Sequence, residues 1–292
     1  MICFSMVYGL AGGAASLRAE AVVGLTTANS LVTFDSATPG AVSAAILITG
    51  VGAETILDID RRPADGLLYG LGSAGNLYVI NTTTGAATLN AALTGVTLDP
   101  SFRGIGIDFN PVTDRLRIVN DAGQNLRLTP GTGATTIDAP LHGADSGAVA
   151  VAYTNNIDTA VTTTPYYFGR DTPLAMYNSS SPNGGVLALV GPLGVGVFDR
   201  EHVGFDISGL SGIAYASLAN SNGSGSSLYT INLITGAASL IGEIGGSTML
   251  RGIALDTSAA AVPEPTSIVL SGVGLVCVAL AARRRRAPAD RK

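Results

Sequence analysis

The sequence predicts an all-β fold, a five-bladed β-propeller closed by pairing its N- and C-terminal strands, followed by a C-terminal transmembrane helix. Three observations support this prediction. Short runs of Val, Ile, Thr and Leu alternate with glycine-containing turns, and 38 of the 292 residues are glycine. A hairpin-sized segment recurs along the chain. One strand is missing where the repeat begins, and one is left over where it ends.

The clearest repeat is a segment with the pattern of a β-hairpin. Residues 77–89, LYVINTTTGAATL, match residues 228–240, LYTINLITGAASL, at nine of thirteen positions. Weaker copies begin near Leu31, Leu126 and Leu174, which brings the count to five. Each copy predicts a strand, a turn that ends in glycine and a second strand.

A second series of short strands precedes the hairpins. Its five members are residues 56–60, 104–108, 149–153, 202–206 and 252–256. Further apolar runs lie between the two series, at residues 21–25, 67–71, 115–119, 165–169 and 212–216. Each unit then contains four strands in about 46 to 52 residues, which is the size of a propeller blade.

The ends of the repeat array predict how the ring closes. The first unit lacks its leading strand, while residues 252–256 form a surplus leading strand at the other end. Pairing the two closes the ring and leaves no long exposed strand edge. A β-sandwich and an open array of repeats are the alternative architectures. The predicted domain covers residues 22–256, and a linker covers residues 257–266.

Three segments of the domain carry a family resemblance. They are GIDFNPVTDRLRIVN at 106–120, GQNLR at 123–127 and AVAYTNN at 150–156. In these segments, the chain resembles a bacterial family of domains of unknown function, number 4394, over roughly residues 22–256. The family has no established activity, so this resemblance implies no mechanism.

The last thirty residues hold a proline motif, an apolar run and an arginine cluster, in that order. The motif is Val262, Pro263, Glu264 and Pro265, and the cluster is Arg283, Arg284, Arg285 and Arg286. Between them, residues 267–282 are uncharged, and as a helix they would extend roughly 24 Å, close to the thickness of a bilayer core. The arginines place residues 283–292 in the cytoplasm as a basic tail, and the large domain on the other side of the membrane.

This order of features resembles the PEP-CTERM sorting signal. The resemblance implies transient anchoring in a bacterial inner membrane with the domain in the periplasm. It further implies cleavage near the proline motif by an exosortase, and then release or attachment at the cell surface, often among exopolysaccharide. The alternative is a permanent C-terminal anchor behind a rigid linker. Neither interpretation says anything about the chemistry of the domain.

Residues 1–21 predict a signal peptide. Residues 2–17 are mostly apolar or small, and Ala19-Glu20-Ala21 resembles a small-residue cleavage site. No Lys or Arg lies between Met1 and the apolar run, so we expect the natural start to lie upstream.

Charge and cysteine content exclude several classes of function. Residues 22–262 contain nine Arg, no Lys and eighteen Asp plus Glu, so 9 − 18 = −9, which argues against binding nucleic acid. Cys3 and Cys277 both lie outside this range, so it can form neither a disulfide nor a thiolate site. His142 and His202 lie in different predicted blades without a third ligand, and no metal site is assigned to them.

The leading strands would line a central channel, so their equivalent positions would form rings. One ring contains Asp60, Asp108, Asp206 and Asp256, with Tyr153 in the fourth blade. Clustered carboxylates can bind Ca²⁺ or act as the acid and base of a glycosidase. The alternative is that each Asp side chain bonds the backbone of the turn after its strand.

A second ring lies five residues earlier in each strand. Its members are Thr55, Arg103, Ala148, Glu201 and Arg251. The two arginines and the glutamate would meet at one mouth of the channel and could hold an anionic sugar. A structural ion pair is the alternative.

The leading functional hypothesis is an exported, surface-sorted binding or structural module without catalysis. The expected partners are the exosortase and export machinery, the inner membrane and exopolysaccharide. No catalytic residue and no cofactor are predicted, apart from Ca²⁺ at the carboxylate ring. The alternative is a carbohydrate-active hydrolase or lyase that uses the channel carboxylates.

Overall fold

The structure is a computed structural model, and it describes residues 19–171, 174–196, 198–220 and 222–255. Over these residues the chain forms five separate β-sheets. The innermost strand of each sheet contacts the innermost strands of the two neighbouring sheets, so the five sheets form a closed ring. These sheets are the blades of the predicted five-bladed propeller.

The strands follow one another blade by blade. Blade 1 contains β1 (Ala21–Thr26), β2 (Ser30–Asp35) and β3 (Ile46–Leu47). Blade 2 contains β4 (Ile56–Arg61), β5 (Leu68–Gly72), β6 (Asn76–Ile80) and β7 (Ala87–Ala92). Blade 3 contains β8 (Ile105–Asn110), β9 (Arg115–Asn120), β10 (Asn125–Leu128) and β11 (Thr135–Ile137).

The fourth blade has five strands rather than four. It contains β12 (His142–Gly143), β13 (Ala148–Tyr153), β14 (Pro165–Gly169), β15 (Ala175–Asn178) and β16 (Val186–Pro192), with a 3₁₀ turn at Pro182–Gly184. Blade 5 contains β17 (Phe198–Ile207), β18 (Ala214–Asn220), β19 (Ser226–Ile231) and β20 (Ala238–Glu243). The last strand, β21 (Leu250–Leu255), returns to blade 1 as its innermost strand.

The pairing of β21 with β1 closes the ring as the sequence predicts. The two strands are antiparallel, with Val22 opposite Leu255 and Gly24 opposite Ile253. This arrangement rules out the β-sandwich and the open array. Among the described residues, no helix is long and apolar enough to cross a membrane. The predicted helix at 267–282 lies outside the described residues, as do the linker, the basic tail and most of the signal peptide.

The hydrophobic core is divided among the five blade interfaces. Each of the five clusters of buried apolar side chains lies mainly between two adjacent blades. Phe168 and Phe205 stack between blades 4 and 5 with ring centroids 4.1 Å apart. Tyr69 and Phe109 meet edge to face between blades 2 and 3, with centroids 5.1 Å apart. Burial of these side chains is therefore what holds neighbouring blades together.

Glycines allow the innermost strands to approach one another. A Cβ atom on Gly106 of β8 would lie 2.4 Å from the Cα atom of Ala150 in β13. A Cβ atom on Gly204 of β17 would lie 2.7 Å from the backbone nitrogen of Ile253 in β21. Backbone atoms cannot move aside easily, so these positions require glycine. The alternation of small and apolar residues in the leading strands thus reflects a narrow channel.

One strand was not predicted, the short β12. It pairs in parallel with the outer strand β16, with His142 opposite Val186. At the corresponding outer edge of blade 2, the backbone N–H of Ala87 donates to the carbonyl of Thr49, which follows β3 of blade 1, and the N–H of Thr49 donates to the carbonyl of Gly85. These contacts from neighbouring blades cover part of the outer strand edges, which would otherwise be open to pairing with other chains.

Candidate functional site

Three of the predicted ring carboxylates come together in the channel. Asp60, Asp108 and Asp206 lie on the innermost strands of blades 2, 3 and 5. Each offers a carboxylate oxygen, and these oxygens lie within 4.8 Å of one another. All three side chains are buried, with about 1% of their surface exposed. The fourth predicted member, Asp256, lies outside the described residues.

Hydrogen bonds to the next blade hold these carboxylates in place. Asp60 Oδ2 accepts the backbone N–H of Phe109 at 2.7 Å, and Asp206 Oδ2 accepts that of Leu255 at 2.6 Å. Asp108 Oδ1 accepts the N–H of Tyr153 at 3.2 Å. The alternative prediction was that each aspartate bonds the backbone of the turn after its own strand. These three bonds instead cross a blade interface.

A local turn bond does occur two residues after Asp108. Asn110 Oδ1 accepts the N–H groups of Val112 and Thr113, as an Asx turn requires. Asp60 and Asp206 also bond within their own strands, because the other oxygen of each accepts the N–H of the next residue. The ring carboxylates thus contribute mainly to blade docking.

Burial dominates the electrostatics of this cluster. It raises the pKa of Asp60 and of Asp108 well above the usual value, and repulsion from the neighbouring carboxylates adds to the effect. Burial also raises the pKa of Asp206 to about 7, although the hydrogen bonds from Leu255 and Ile207 oppose the shift. Negative charge is therefore unfavourable in this place unless a positive charge accompanies it.

Sequence reasoning missed Asp58, which has the same role one pleat earlier in β4. Asp58 Oδ2 accepts the N–H of Ile107 at 2.9 Å, and Oδ1 accepts the N–H of Ile59. Asp58 lies two positions before Asp60, so the two side chains share a face of the strand. This spacing was a sequence signal from which the role of Asp58 could have been predicted.

Blade 4 departs from the carboxylate pattern. Tyr153 takes the ring position, and its hydroxyl accepts a hydrogen bond from Arg117 Nε at 2.7 Å. Arg117 is 1% exposed and also bonds Asn183 Oδ1 and the carboxylate of Asp138. Asp138 in turn forms two bonds with Arg127. This buried network joins blades 3 and 4, and its arginine is well supplied with acceptors, so it has a structural role.

The second predicted ring lines a pocket at one mouth of the channel. The pocket has a volume of about 280 Å³, and four of the five predicted positions line it. Its lining residues are Thr55, Leu57, Ser73, Phe102, Arg103, Ile105, Glu201, His202 and Arg251. The fifth predicted position, Ala148, is fully buried and does not contribute.

The two arginines of the pocket differ in their surroundings. Arg103 is 76% exposed and lies 3.6 Å from a carboxylate oxygen of Glu201, so the predicted ion pair is present but open to water. Arg251 is partly buried, and burial lowers the pKa of its guanidinium, with Glu201 opposing the shift. The hydrogen bond from its Nη1 to the carbonyl of Ile56 is long, at 3.5 Å. Arg251 therefore has donors left for a ligand.

His202 also lines the pocket, which sequence reasoning did not foresee. Its Nδ1 lies 2.9 Å from Asp199 Oδ2, three residues away in the same strand. Burial acts to raise the pKa of Asp199. The hydrogen bonds from the Glu201 N–H and the His202 ring outweigh burial, so the pKa of Asp199 is lowered. The spacing of Asp199 and His202 is visible in the sequence, but this spacing alone does not show that His202 lines the pocket.

The sequence matches a family described as "Domain of unknown function (DUF4394)" over residues 30–254. The chain belongs to the DUF4394 family. Residues 261–286 match the PEP-CTERM protein-sorting motif, which includes Val262, Pro263, Glu264 and Pro265 as well as the arginine cluster 283–286. Both predicted resemblances are thereby confirmed. No curated protein matches this DUF4394 chain.

Several solved structures resemble the DUF4394 propeller at low identity. One is the nidogen/laminin complex, at 9% identity, covering 82% of this chain and 100% of that chain with a TM-score of 0.47. Another is a putative 6-phosphogluconolactonase from Bacteroides fragilis, at 14% identity, covering 80% and 69% with a TM-score of 0.41. A third is hydrazine synthase from Kuenenia stuttgartiensis, at 12% identity, covering 65% and 51% with a TM-score of 0.40.

Proposed function

We propose that this DUF4394 protein is an exported, exosortase-sorted surface propeller that binds an acidic saccharide in its mouth pocket. The observation that carries the proposal is the pocket itself, in which Arg103, Arg251 and Glu201 meet from three different blades. An anion that enters this pocket can replace Glu201 as the partner of one arginine and bond the other directly.

The lining of the pocket suits a sugar that carries a carboxylate. A guanidinium presents a planar set of donors that matches a carboxylate group, and such charge-assisted bonds are stronger than neutral ones. Phe102, Leu57 and Ile105 supply apolar surface beside the arginines. The volume of about 280 Å³ is near the lower end of the roughly 300–1,000 Å³ typical of ligand pockets. It would accept a single sugar unit of a longer polymer.

The sorting motif indicates where such a ligand would be met. A PEP-CTERM protein is exported and associated with the membrane during sorting. In this proposal residues 267–282 anchor the chain in the inner membrane until the exosortase cleaves near Pro263, Glu264 and Pro265. The freed propeller then meets exopolysaccharide at the cell surface, and uronic acids are its natural carboxylate-bearing sugars.

The channel carboxylates favour binding over hydrolysis. A glycosidase needs an acid and a base that flank a bond of a bound sugar. Asp60, Asp108 and Asp206 are about 1% exposed, and most of their oxygens already accept backbone N–H groups. They are therefore placed to hold the blades, and the open carboxylate at the mouth, Glu201, pairs with Arg103.

Calorimetric titration of the full chain in mild detergent with an oligogalacturonate tests this proposal. We expect saturable binding that weakens at higher salt, because the attraction is between charges. Arg251→Gln and Arg103→Gln should each reduce the affinity by about tenfold or more, the range for lost hydrogen bonds between charged groups. Arg115→Gln is the matched control, since Arg115 bonds Thr136 away from the pocket and should leave the affinity unchanged.

Two outcomes would contradict the proposal. The first is that the double variant Arg103→Ala and Arg251→Ala loses stability but binds as well as the wild type, which would make the arginine pair purely structural. The second is that the wild type binds neither the acidic polymer nor neutral dextran, which would favour a structural component. Release of reducing ends from the polymer would instead support the hydrolase or lyase.

A further inference from the structure

The centre of the channel contains more acceptors than the described hydrogen bonds use. The three carboxylates of Asp60, Asp108 and Asp206 present six oxygens, and five of them accept a backbone N–H each. The sixth is Asp108 Oδ2, which is buried and has no hydrogen-bond partner among the described residues. A buried carboxylate oxygen without a partner is costly, so its presence points to a ligand that the polypeptide does not supply.

The charge of this place also calls for a positive ligand. Three carboxylates lie within reach of one another, and each is about 1% exposed. Ionised carboxylates this close together repel one another, and a cation bound between them would offset that repulsion.

The geometry fits a hard cation with oxygen ligands. Ca²⁺ binds carboxylate oxygens at about 2.3–2.6 Å, so two oxygens on opposite sides of one ion are separated by roughly 4.6–5.2 Å. One carboxylate oxygen from each of the three aspartates lies within 4.8 Å of the other two, so all three can reach one ion. Mg²⁺ binds at about 2.0–2.1 Å and demands stricter geometry. A channel whose carboxylates are fixed by backbone bonds is better matched to the larger and more tolerant ion.

We propose that Asp60, Asp108 and Asp206 bind one Ca²⁺ ion on the axis of the propeller. The ion takes Asp108 Oδ2 as a ligand together with one oxygen from each of the other two aspartates. Three different blades then share one ion, so the ion ties blades 2, 3 and 5 together at the centre of the ring. The site is separate from the mouth pocket and does not depend on the saccharide proposal.

Thermal unfolding of the full chain, stripped of metal with a chelator and then supplied with Ca²⁺ or Mg²⁺, tests this inference. At a Ca²⁺ concentration about 100 times the dissociation constant, we expect the Tm to rise by roughly 5 to 10 °C. Mg²⁺ should give a smaller rise at the same concentration. Asp108→Asn should reduce the affinity for Ca²⁺ by at least about tenfold, because it replaces a ligand oxygen.

Asp58→Asn is the matched control. Asp58 is buried in the same strand as Asp60 and bonds the same neighbouring strand, but it does not belong to the three-carboxylate cluster. It should lower the starting Tm and leave the Ca²⁺ response intact. Equal loss of the response in Asp58→Asn and Asp108→Asn would overturn the site, as would the absence of any Tm rise with Ca²⁺ in the wild-type chain.

Metal analysis keeps the inference testable if Asp108→Asn does not fold. The wild-type chain is dialysed in Ca²⁺, transferred to metal-free buffer and measured by atomic emission. About one Ca²⁺ per chain supports the site, since a site of this kind binds its ion stoichiometrically. A negligible Ca²⁺ content would overturn it.

Discussion

The interior of the channel and its mouth use the same innermost strands, yet they hold their charged side chains in opposite ways. Asp58, Asp60 and Asp206 are buried, and each accepts a backbone N–H from the neighbouring blade. Arg103 and Glu201 are 76% and 45% exposed, and they meet only at 3.6 Å. The interior charges therefore serve the fold, while the mouth charges remain available to a ligand.

The same strand of each repeat therefore carries two kinds of charged position. Within a strand, four or five residues separate the mouth from the buried carboxylates, as for Thr55 and Asp60. A substitution in the interior should lower the free energy of unfolding, and a substitution at the mouth should lower affinity. Surface ion pairs contribute about 0–1 kcal/mol, whereas an unpaired buried donor costs about 1–3 kcal/mol.

The largest effect should come from breaking the ring on which both regions depend. A chain that ends at Met249 lacks β21, the innermost strand of blade 1, and leaves β1 without its partner. We expect this truncation to abolish cooperative unfolding, as measured by circular dichroism during heating. A chain that ends at Val262 keeps β21 and should melt cooperatively. Retention of a cooperative transition in the shorter chain would contradict the closed ring.

A smaller but still large effect should follow from crowding the interior. Gly106→Ala places a Cβ atom 2.4 Å from Ala150 Cα, where only backbone can yield. We expect a loss of about 2–3 kcal/mol in the free energy of unfolding, measured by urea denaturation. Gly196→Ala is the control, because a Cβ atom there would meet no atom of the described residues within 4 Å. Equal stability of the two variants would mean that the innermost strands are not in close contact.

The smallest predicted effect concerns Glu54, a carboxylate near the pocket that belongs neither to the buried channel carboxylates nor to the charges that line the pocket. Glu54 accepts hydrogen bonds from Tyr78 Oη at 2.6 Å, from Asn76 Nδ2 and from the N–H of Ala74. Burial opposes these bonds, but the net result is a lowered pKa for Glu54. The unfolded chain should bind this proton first as the pH falls, so the stabilisation present above about pH 4.3 is lost at lower pH.

Urea denaturation of the wild-type chain and of Glu54→Gln at several pH values measures this contribution. The stability of Glu54→Gln should fall less steeply than that of the wild type as the pH decreases from 6 to 3, which spans the usual Glu pKa of about 4.3. Parallel curves for the two proteins would show that Glu54 does not contribute in its charged form.

Much of the fold could be predicted from the sequence because the repeat is local. The hairpin 77–89 and the leading strand 56–60 are each encoded within a few residues, and the surplus strand 252–256 fixes how the ends meet. The short β12 was missed because two residues, His142 and Gly143, carry no periodic pattern. It forms only because β16 offers an edge for it.

The candidate sites were predictable as positions but not as contacts. Equal spacing along the repeats was enough to place Asp60, Asp108 and Asp206 in one ring. Their hydrogen-bond partners lie 45 to 49 residues away in the next blade, so no local pattern could reveal them. For the same reason, the sequence did not show that His202 lines the pocket. It also did not show that Glu201 pairs with Arg103 rather than with Arg251.

The most direct test of this separation compares Arg251→Gln with Asp58→Asn in one experiment that records both Tm and the oligogalacturonate dissociation constant. We expect Arg251→Gln to weaken binding by about tenfold, with a Tm near that of the wild type. We expect Asp58→Asn to lower the Tm by roughly 2 to 8 °C, with binding unchanged. The reverse pattern, with binding lost in Asp58→Asn and only stability lost in Arg251→Gln, would contradict the division between stabilising interior positions and binding positions at the mouth.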